Sequence, residues 1–124
     1  MTVTIINGGT QGLGEAVARK LVENGATGLV LAGRSADRGD ALASELTGLG
    51  TPTLFVQCDI AEPSTPQAIV EACDQKFGTV HGVVNVAAAT SRATLFTDTP
   101  EHFDTQMTIN VKAPYFLILS LIHI

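Results

Sequence analysis

Basic residues are scarce in this sequence: seven lysines and arginines stand against twelve aspartates and glutamates, a formal net charge of −5. Phosphate contacts need clustered cations, so this balance argues against a nucleic-acid or acidic-membrane partner. Cysteine is scarce too. Cys58 and Cys73 form no CxxC pair and no Cys/His cluster, so no metal site is expected, and both read as small core residues in a reducing compartment. No apolar run is long enough to span a bilayer, and the opening MTVTIINGG has no basic stretch ahead of an apolar one. Neither a membrane span nor a signal peptide is expected, and a soluble cytoplasmic protein is. Repeats, low-complexity stretches and linker composition are also missing. What is present is apolar material: 45% hydrophobic and 15% charged residues at a mean hydropathy of +0.29. That excludes a disordered tail and supplies a core for one domain in 124 residues.

Short apolar runs alternate with helical patterns. Residues 2–7, 28–32, 53–57 and 82–86 read as strands that are apolar throughout rather than on alternate positions. Such strands are buried on both faces, as in a parallel sheet between helices. Residues 12–24 carry Leu13, Val17, Ala18, Leu21 and Val22 at helical spacing and stop at Asn24-Gly25. Residues 36–49 place Leu42, Leu46 and Leu49 on one face before Gly50, and residues 66–77 run to Gly78 with Thr65 as the expected N-cap. A fourth helix is predicted from the cap Thr99 and Pro100 onward, through Phe103, Met107 and Val111. The order β-α-β-α-β-α-β-α predicts an α/β fold: the N-terminal half of a Rossmann-type doubly wound parallel sheet, with about four strands and four helices. The segment 87–98, polar and rich in small residues, is the one loosely structured stretch.

The first strand ends directly in Asn7-Gly8-Gly9-Thr10-Gln11-Gly12-Leu13-Gly14, and a helix follows. Glycines there let the backbone turn sharply and approach a pyrophosphate, whose charge the helix N-terminus stabilises. A glycine cluster alone is a weak signal; its place between first strand and helix makes it a dinucleotide loop. The spacing is neither G-x-G-x-x-G nor a P-loop, since Glu15 stands where a lysine must reach the phosphates. After the second strand comes Gly33-Arg34-Ser35. A carboxylate there holds the ribose of NAD. With Gly33 in that place, Arg34 can pair bidentately with a 2′-phosphate and Ser35 can add a hydrogen bond, so NADP is favoured over NAD. A solvated arginine opening a helix is the plain alternative, and Arg38 either reinforces the patch or faces solvent. The same Gly-Arg disfavours an S-adenosylmethionine methyltransferase, which would need an acidic residue there.

The loop Gly8-x-x-x-Gly12-x-Gly14 resembles that of the short-chain dehydrogenases/reductases, in the branch with subunits about twice as long as this chain. The resemblance covers residues 2–118 and rests on five elements in order: the glycine loop, Gly33-Arg34, Asp59-Ile60, Asn85-x-Ala87 and Asn110. It implies that Gly8, Gly9, Thr10, Gln11, Gly12, Leu13 and Gly14 hold the cofactor. It further implies that Asp59 accepts from the adenine amino group with Ile60 near the ring, and that Asn85 and Ala87 border the cofactor. Asn110 would be a catalytic residue whose main chain holds a water of the proton relay. Pro114, four residues on, has no N–H for the Asn110 carbonyl. Asn7 departs from the family's threonine and is expected to bond the turn backbone through its short side chain. Val86 and Ala88 also depart from the family's Asn-Asn-Ala-Gly.

The family's hydride transfer uses a serine and a Tyr-x-x-x-Lys pair, with the tyrosine as general acid/base. The single tyrosine, Tyr115, is followed four residues later by Leu119, and Lys20, Lys76 and Lys112 make no such pair. His81, His102 and His123 show no Ser or Cys partner in a nucleophile setting and are expected to be structural, His81 closing the turn before the fourth strand. The expected function is therefore an NADP-dependent oxidoreductase acting on a small carbonyl or alcohol substrate, its parent a homo-tetramer or homo-dimer. The polypeptide itself is expected to be an inactive fragment with strand four as a bare edge. The alternative is a non-catalytic NADP-binding or NADP-sensing module of the same fold. Residues 1–118 form the expected, incomplete domain; residues 119–124 resemble translated sequencing-adapter DNA and are expected to be a non-native tail.

Overall fold

A computed structural model describes residues 1–122. Four parallel strands, β1 (Val3–Asn7), β2 (Gly28–Gly33), β3 (Thr53–Gln57) and β4 (Gly82–Asn85), form one sheet in the order β3-β2-β1-β4. Register is continuous across it, with Ile5 opposite both Val30 and Val83, and Val30 opposite Leu54. The helices are α1 (Gly12–Glu23), α2 (Ala36–Gly48), α3 (Thr65–Phe77), α4 (Pro100–Met107) and α5 (Ala113–Leu121).

The uninterrupted apolar strands are explained by two cores, one per face. Val3, Ile5, Val30 and Ala32 pack with Ile69, Val70 and Cys73 of α3 and Leu117 of α5. Ile6, Leu29 and Leu31 point the other way, onto Ala18 of α1 and Leu42 and Leu46 of α2. Successive strand residues face opposite sides, so both sets must be apolar when both sides are covered. Ile5, Ile6, Leu29, Leu31, Leu46 and Ile69 are fully buried. Burying one such side chain contributes roughly 1.5–3 kcal/mol.

The element boundaries shift slightly from those predicted. β1 starts at Val3, β2 runs on to Gly33, and β4 stops at Asn85. Val86 leaves the strand because its N–H and that of Ala87 both turn to the Asn7 carbonyl, at 2.9 Å each. Thr65 is not the cap of α3. Ser64 holds that place, and the Thr65 hydroxyl donates to the Asp59 carbonyl at 2.7 Å. Thr99 does cap α4, accepting from His102 N–H at 3.1 Å. The fourth helix is interrupted rather than continuous. Residues Thr108–Lys112 form a π turn in which the Ala113 N–H reaches the Thr108 carbonyl, and α5 follows. Pro114 explains the break: it cannot donate to the Asn110 carbonyl, and a widened turn absorbs the mismatch. α5 continues through Leu121, past the expected end of native sequence at Ile118. His123 and Ile124, which complete the hexapeptide read as foreign, lie outside the described residues.

Candidate dinucleotide site

Chain order reverses at β1, with β2 on one side of it and β4 on the other. Beyond the carboxyl ends of strands at such a reversal a crevice opens, because the following loops and helices diverge to opposite faces. A cleft of about 470 Å³ lies there, a volume ordinary for a small-molecule site. Its wall brings together Gly8, Thr10, Gln11, Arg34, Ser35, Asp59, Ile60 and Ala87, all named from the sequence, with Arg38, Cys58, Ala88 and Ile109.

The turn after β1 is anchored from below. Gly8 N–H donates to the Ala32 carbonyl at 2.9 Å, and the Asn7 carbonyl receives the two N–H groups after β4. The Asn7 side chain is buried and its Nδ2 donates to Asn85 Oδ1 at 3.3 Å. Asn7 therefore ties β1 to β4 instead of bonding the turn backbone, which corrects the expectation for it. Gly9, Gly12, Leu13, Gly14 and Asn85 are not on the cleft wall; Gly12 lines a neighbouring hollow with Thr10, Gln11 and Glu15. Gly14 is a packing residue: a Cβ added there would lie 1.9 Å from the Gly8 carbonyl oxygen, so glycine is what lets α1 dock under the turn. Gly12 differs. Its φ is +54° and a Cβ would meet nothing within 4 Å, so the backbone there adjoins open space. Gln11 caps α1 without a side-chain capping bond, because its amide oxygen is engaged by the Arg38 guanidinium. The first turn of α1 therefore keeps N–H groups available to an anion.

Across the cleft, Thr10 stands over Gly33: a Cβ on Gly33 would be 3.1 Å from the Thr10 hydroxyl and methyl. Ser35 caps α2 by accepting from Arg38 N–H at 3.4 Å, which leaves its hydroxyl proton free to donate. Arg34 is exposed, and among the described residues its guanidinium makes no hydrogen bond or ion pair. Asp59 accepts from Ala61 N–H at 2.9 Å through Oδ1, an Asx turn that leaves the second oxygen unengaged by it. Two of the seven cations of an acidic chain thus flank one cleft, Arg34 and Arg38. Burial pushes the Cys58 thiol at the cleft floor upward, so it is no thiolate there.

Asn110 is on the π turn and off the cleft wall, but it acts on the cleft's rim. Its Nδ2 donates to the Ala89 carbonyl and its Oδ1 accepts from the Ala89 N–H, each at 2.8 Å. This two-point pairing fixes the chain just beyond β4. His81 is structural, as expected: its Nδ1 accepts from Val3 N–H at 3.0 Å.

The family model described as short chain dehydrogenase matches residues 2–123. The chain belongs to the short-chain dehydrogenase family. Among relatives of this family, the short-chain dehydrogenase/reductase FrzI of Cladobotryum sp is 30% identical over 114 residues, covering 92% of this chain and 44% of that protein. An NADP-dependent (R)-specific alcohol dehydrogenase of Lentilactobacillus kefiri is 32% identical over 114 residues, with the same coverage of 92% and 44%. A blue fluorescent protein from a metagenomic library, solved in complex with NADPH, superposes with a TM-score of 0.93 at 30% identity, covering 98% of this chain and 50% of that one. This member of the short-chain dehydrogenase family thus spans about half the length of the relatives it matches. Its parallel sheet with flanking helices is the family's Rossmann-like arrangement.

One grouping escaped the sequence reading. His102, expected to lack a serine partner, lies 3.0 Å from Ser91 Oγ through Nε2 and 2.6 Å from Asp98 Oδ1 through Nδ1. The i,i+4 spacing of Asp98 and His102 was the only visible signal; Ser91 arrives through the path of the loop after β4. Among the described residues no group of three His, Cys, Asp or Glu could hold a metal ion, and no helix is long and apolar enough to cross a membrane.

Proposed function

We propose that this chain is the NADP-holding portion of a short-chain oxidoreductase that interconverts a small carbonyl compound and its alcohol. NADP(H), when bound, supplies or accepts a hydride at the nicotinamide. The residues present fit that group: the open face at Gly12 and the uncapped first turn of α1 suit the pyrophosphate. Asp59 suits the adenine amino group, and Ala87 and Ala88 border the nicotinamide end. Asn110, through Ala89, keeps that border in place.

The observation that carries NADP over NAD is the wall at Gly33-Arg34-Ser35. A side chain at residue 33 would crowd Thr10, at 3.1 Å from its Cβ, while a free guanidinium and a free hydroxyl proton line the same corner. A dianionic 2′-phosphate is complemented there, and a plain ribose hydroxyl pair finds no carboxylate acceptor. The NADP-dependent relative and the NADPH-bound structure support the same reading. The polypeptide has no Tyr-x-x-x-Lys, so by itself it binds NADPH without turning over a carbonyl substrate.

Titrating the purified chain with NADPH and with NADH, followed by nicotinamide fluorescence, tests this. NADPH binds more tightly, and Arg34→Asp weakens it by roughly 10- to 100-fold, the loss of a charged hydrogen-bonded pair, while leaving NADH little changed. Equal affinities for the two, or an Arg34→Asp variant that keeps the preference, would refute the assignment.

A further inference from the structure

Outside the cleft, the loop after β4 and the first turns of α4 build a second polar array. Ser91 is exposed, and its Oγ lies 3.0 Å from His102 Nε2; His102 Nδ1 lies 2.6 Å from Asp98 Oδ1. Asp98 is held below the usual carboxylate range, first by the hydrogen bond from His102 and then by the Thr99 N–H. An ionised carboxylate can only accept, so Nδ1 carries a proton; Nε2 faces both Ser91 Oγ and, at 3.3 Å, the Ser91 carbonyl oxygen, and in the tautomer protonated on Nδ1 alone it offers its lone pair to the hydroxyl. In that tautomer the Ser91 hydroxyl is the donor to Nε2. That is the proton arrangement of a nucleophile, its base and the group that orients the base. A further donor is already in place: Gln106 Nε2 donates to Ser91 Oγ at 2.8 Å, and the amide is oriented by Asn110 Nδ2, which donates to its oxygen at 3.3 Å. The bond from Gln106 occupies one Oγ lone pair and holds the hydroxyl in place.

We propose that Ser91 is an activated serine that accepts acyl groups from small esters, with His102 as its base and Asp98 as the positioning residue. The array lies on an open surface, which suits small activated donors. Leu95 and Phe96, 100% and 98% exposed on the turn between Ser91 and Asp98, offer apolar surface to a short acyl chain. As the bond from Oγ to the acyl carbon forms, the hydroxyl proton passes to Nε2. Collapse breaks the bond to the leaving alcohol, which takes that proton, and water then releases the acid by the same route. No oxidant, reductant or cofactor enters, so the activity is separate from the dinucleotide cleft.

The test incubates the folded chain with a fluorophosphonate probe and with p-nitrophenyl acetate, and maps the adduct by tandem mass spectrometry. The expected label is on Ser91, absent from Ser91→Ala and from the wild-type chain in denaturing urea. His102→Ala lowers the labelling rate by roughly 100-fold, the loss of a general base, with circular dichroism unchanged, and Asp98→Asn lowers it less. Should His102→Ala fail to fold, the native-against-urea comparison on the unaltered chain decides. A folded chain unlabelled at Ser91, or labelled equally fast in urea or without His102, overturns the proposal.

Discussion

Gly12 and Gly14 stand two residues apart in one loop, yet the structure gives them different tasks, and alanine separates them. A Cβ at Gly14 would lie 1.9 Å from the Gly8 carbonyl oxygen, where real Cβ atoms essentially never come within 3.0 Å. The turn must then retreat by roughly 1 Å, straining a tightly packed contact and the Gly8–Ala32 hydrogen bond. Overpacking and a weakened hydrogen bond together destabilise by about 3 kcal/mol. For a chain of this length that lowers Tm by about 10 °C. Gly12→Ala meets no neighbour and is penalised only by its φ of +54°, about 1 kcal/mol and about 4 °C. Its methyl group does, however, enter the space expected to hold the pyrophosphate. NADPH affinity should fall at least tenfold, about 1.4 kcal/mol. Thermal melts followed by circular dichroism, paired with NADPH titration of each variant, read both quantities. Equal melting of Gly14→Ala and the parent chain would refute the packing role, and unaltered NADPH affinity in Gly12→Ala would refute the cofactor role.

Asn110→Ala removes both hydrogen bonds to the Ala89 backbone and lowers stability by roughly 1–2 kcal/mol; amide exchange at Ala89 accelerates, and unchanged protection there would count against the pairing. Asp98 is depressed on folding by His102, so its contribution is present above the ordinary aspartate range and lost as pH falls through its lower folded value. Urea melts between about pH 5 and pH 2 should therefore show a shallower acid loss in Asp98→Asn than in the parent. Part of the slope remains in that variant, since Glu45 is lowered in the same direction by its hydrogen bond from Arg19. An identical slope in the two proteins would sink the Asp98 assignment. Burial pushes the Cys73 thiol up to about 11 and raises that of Cys58 as well. Iodoacetamide at about pH 8 should label both slowly in the folded chain and quickly in urea; rapid labelling of folded Cys73 would contradict its burial.

Much of this architecture is legible in the sequence because it rests on local rules. Two-sided strands need continuous apolar runs, so residues 28–32 and 53–57 announce a covered parallel sheet before any contact is known. The glycine loop is legible for a similar reason: glycine adopts the φ of Gly12 without penalty and alone tolerates the approach at Gly14. Gly33-Arg34-Ser35 is readable as a basic corner because its neighbours in sequence are also its neighbours in space. Asn110 and Pro114 announce a disturbed helix, since proline's missing N–H is a property of the residue itself.

What the sequence leaves undecided is whatever depends on which chain segments meet. The π turn at Thr108–Lys112 resolves the proline conflict within the helix instead of ending it. Asn7 finds Asn85, 78 residues away, only because β1 and β4 are sheet neighbours. Thr10 screens Gly33 only because the turn after β1 folds over the end of β2. Ser91 meets His102 and Asp98 because the loop beyond β4, pinned at Ala89 by Asn110, is carried back along α4. Composition, period and backbone chemistry thus determined the layers and the dinucleotide loop. The partners of each polar side chain were decided by the tertiary structure, because hydrogen bonding acts over about 3 Å and only the folded chain brings distant residues that close.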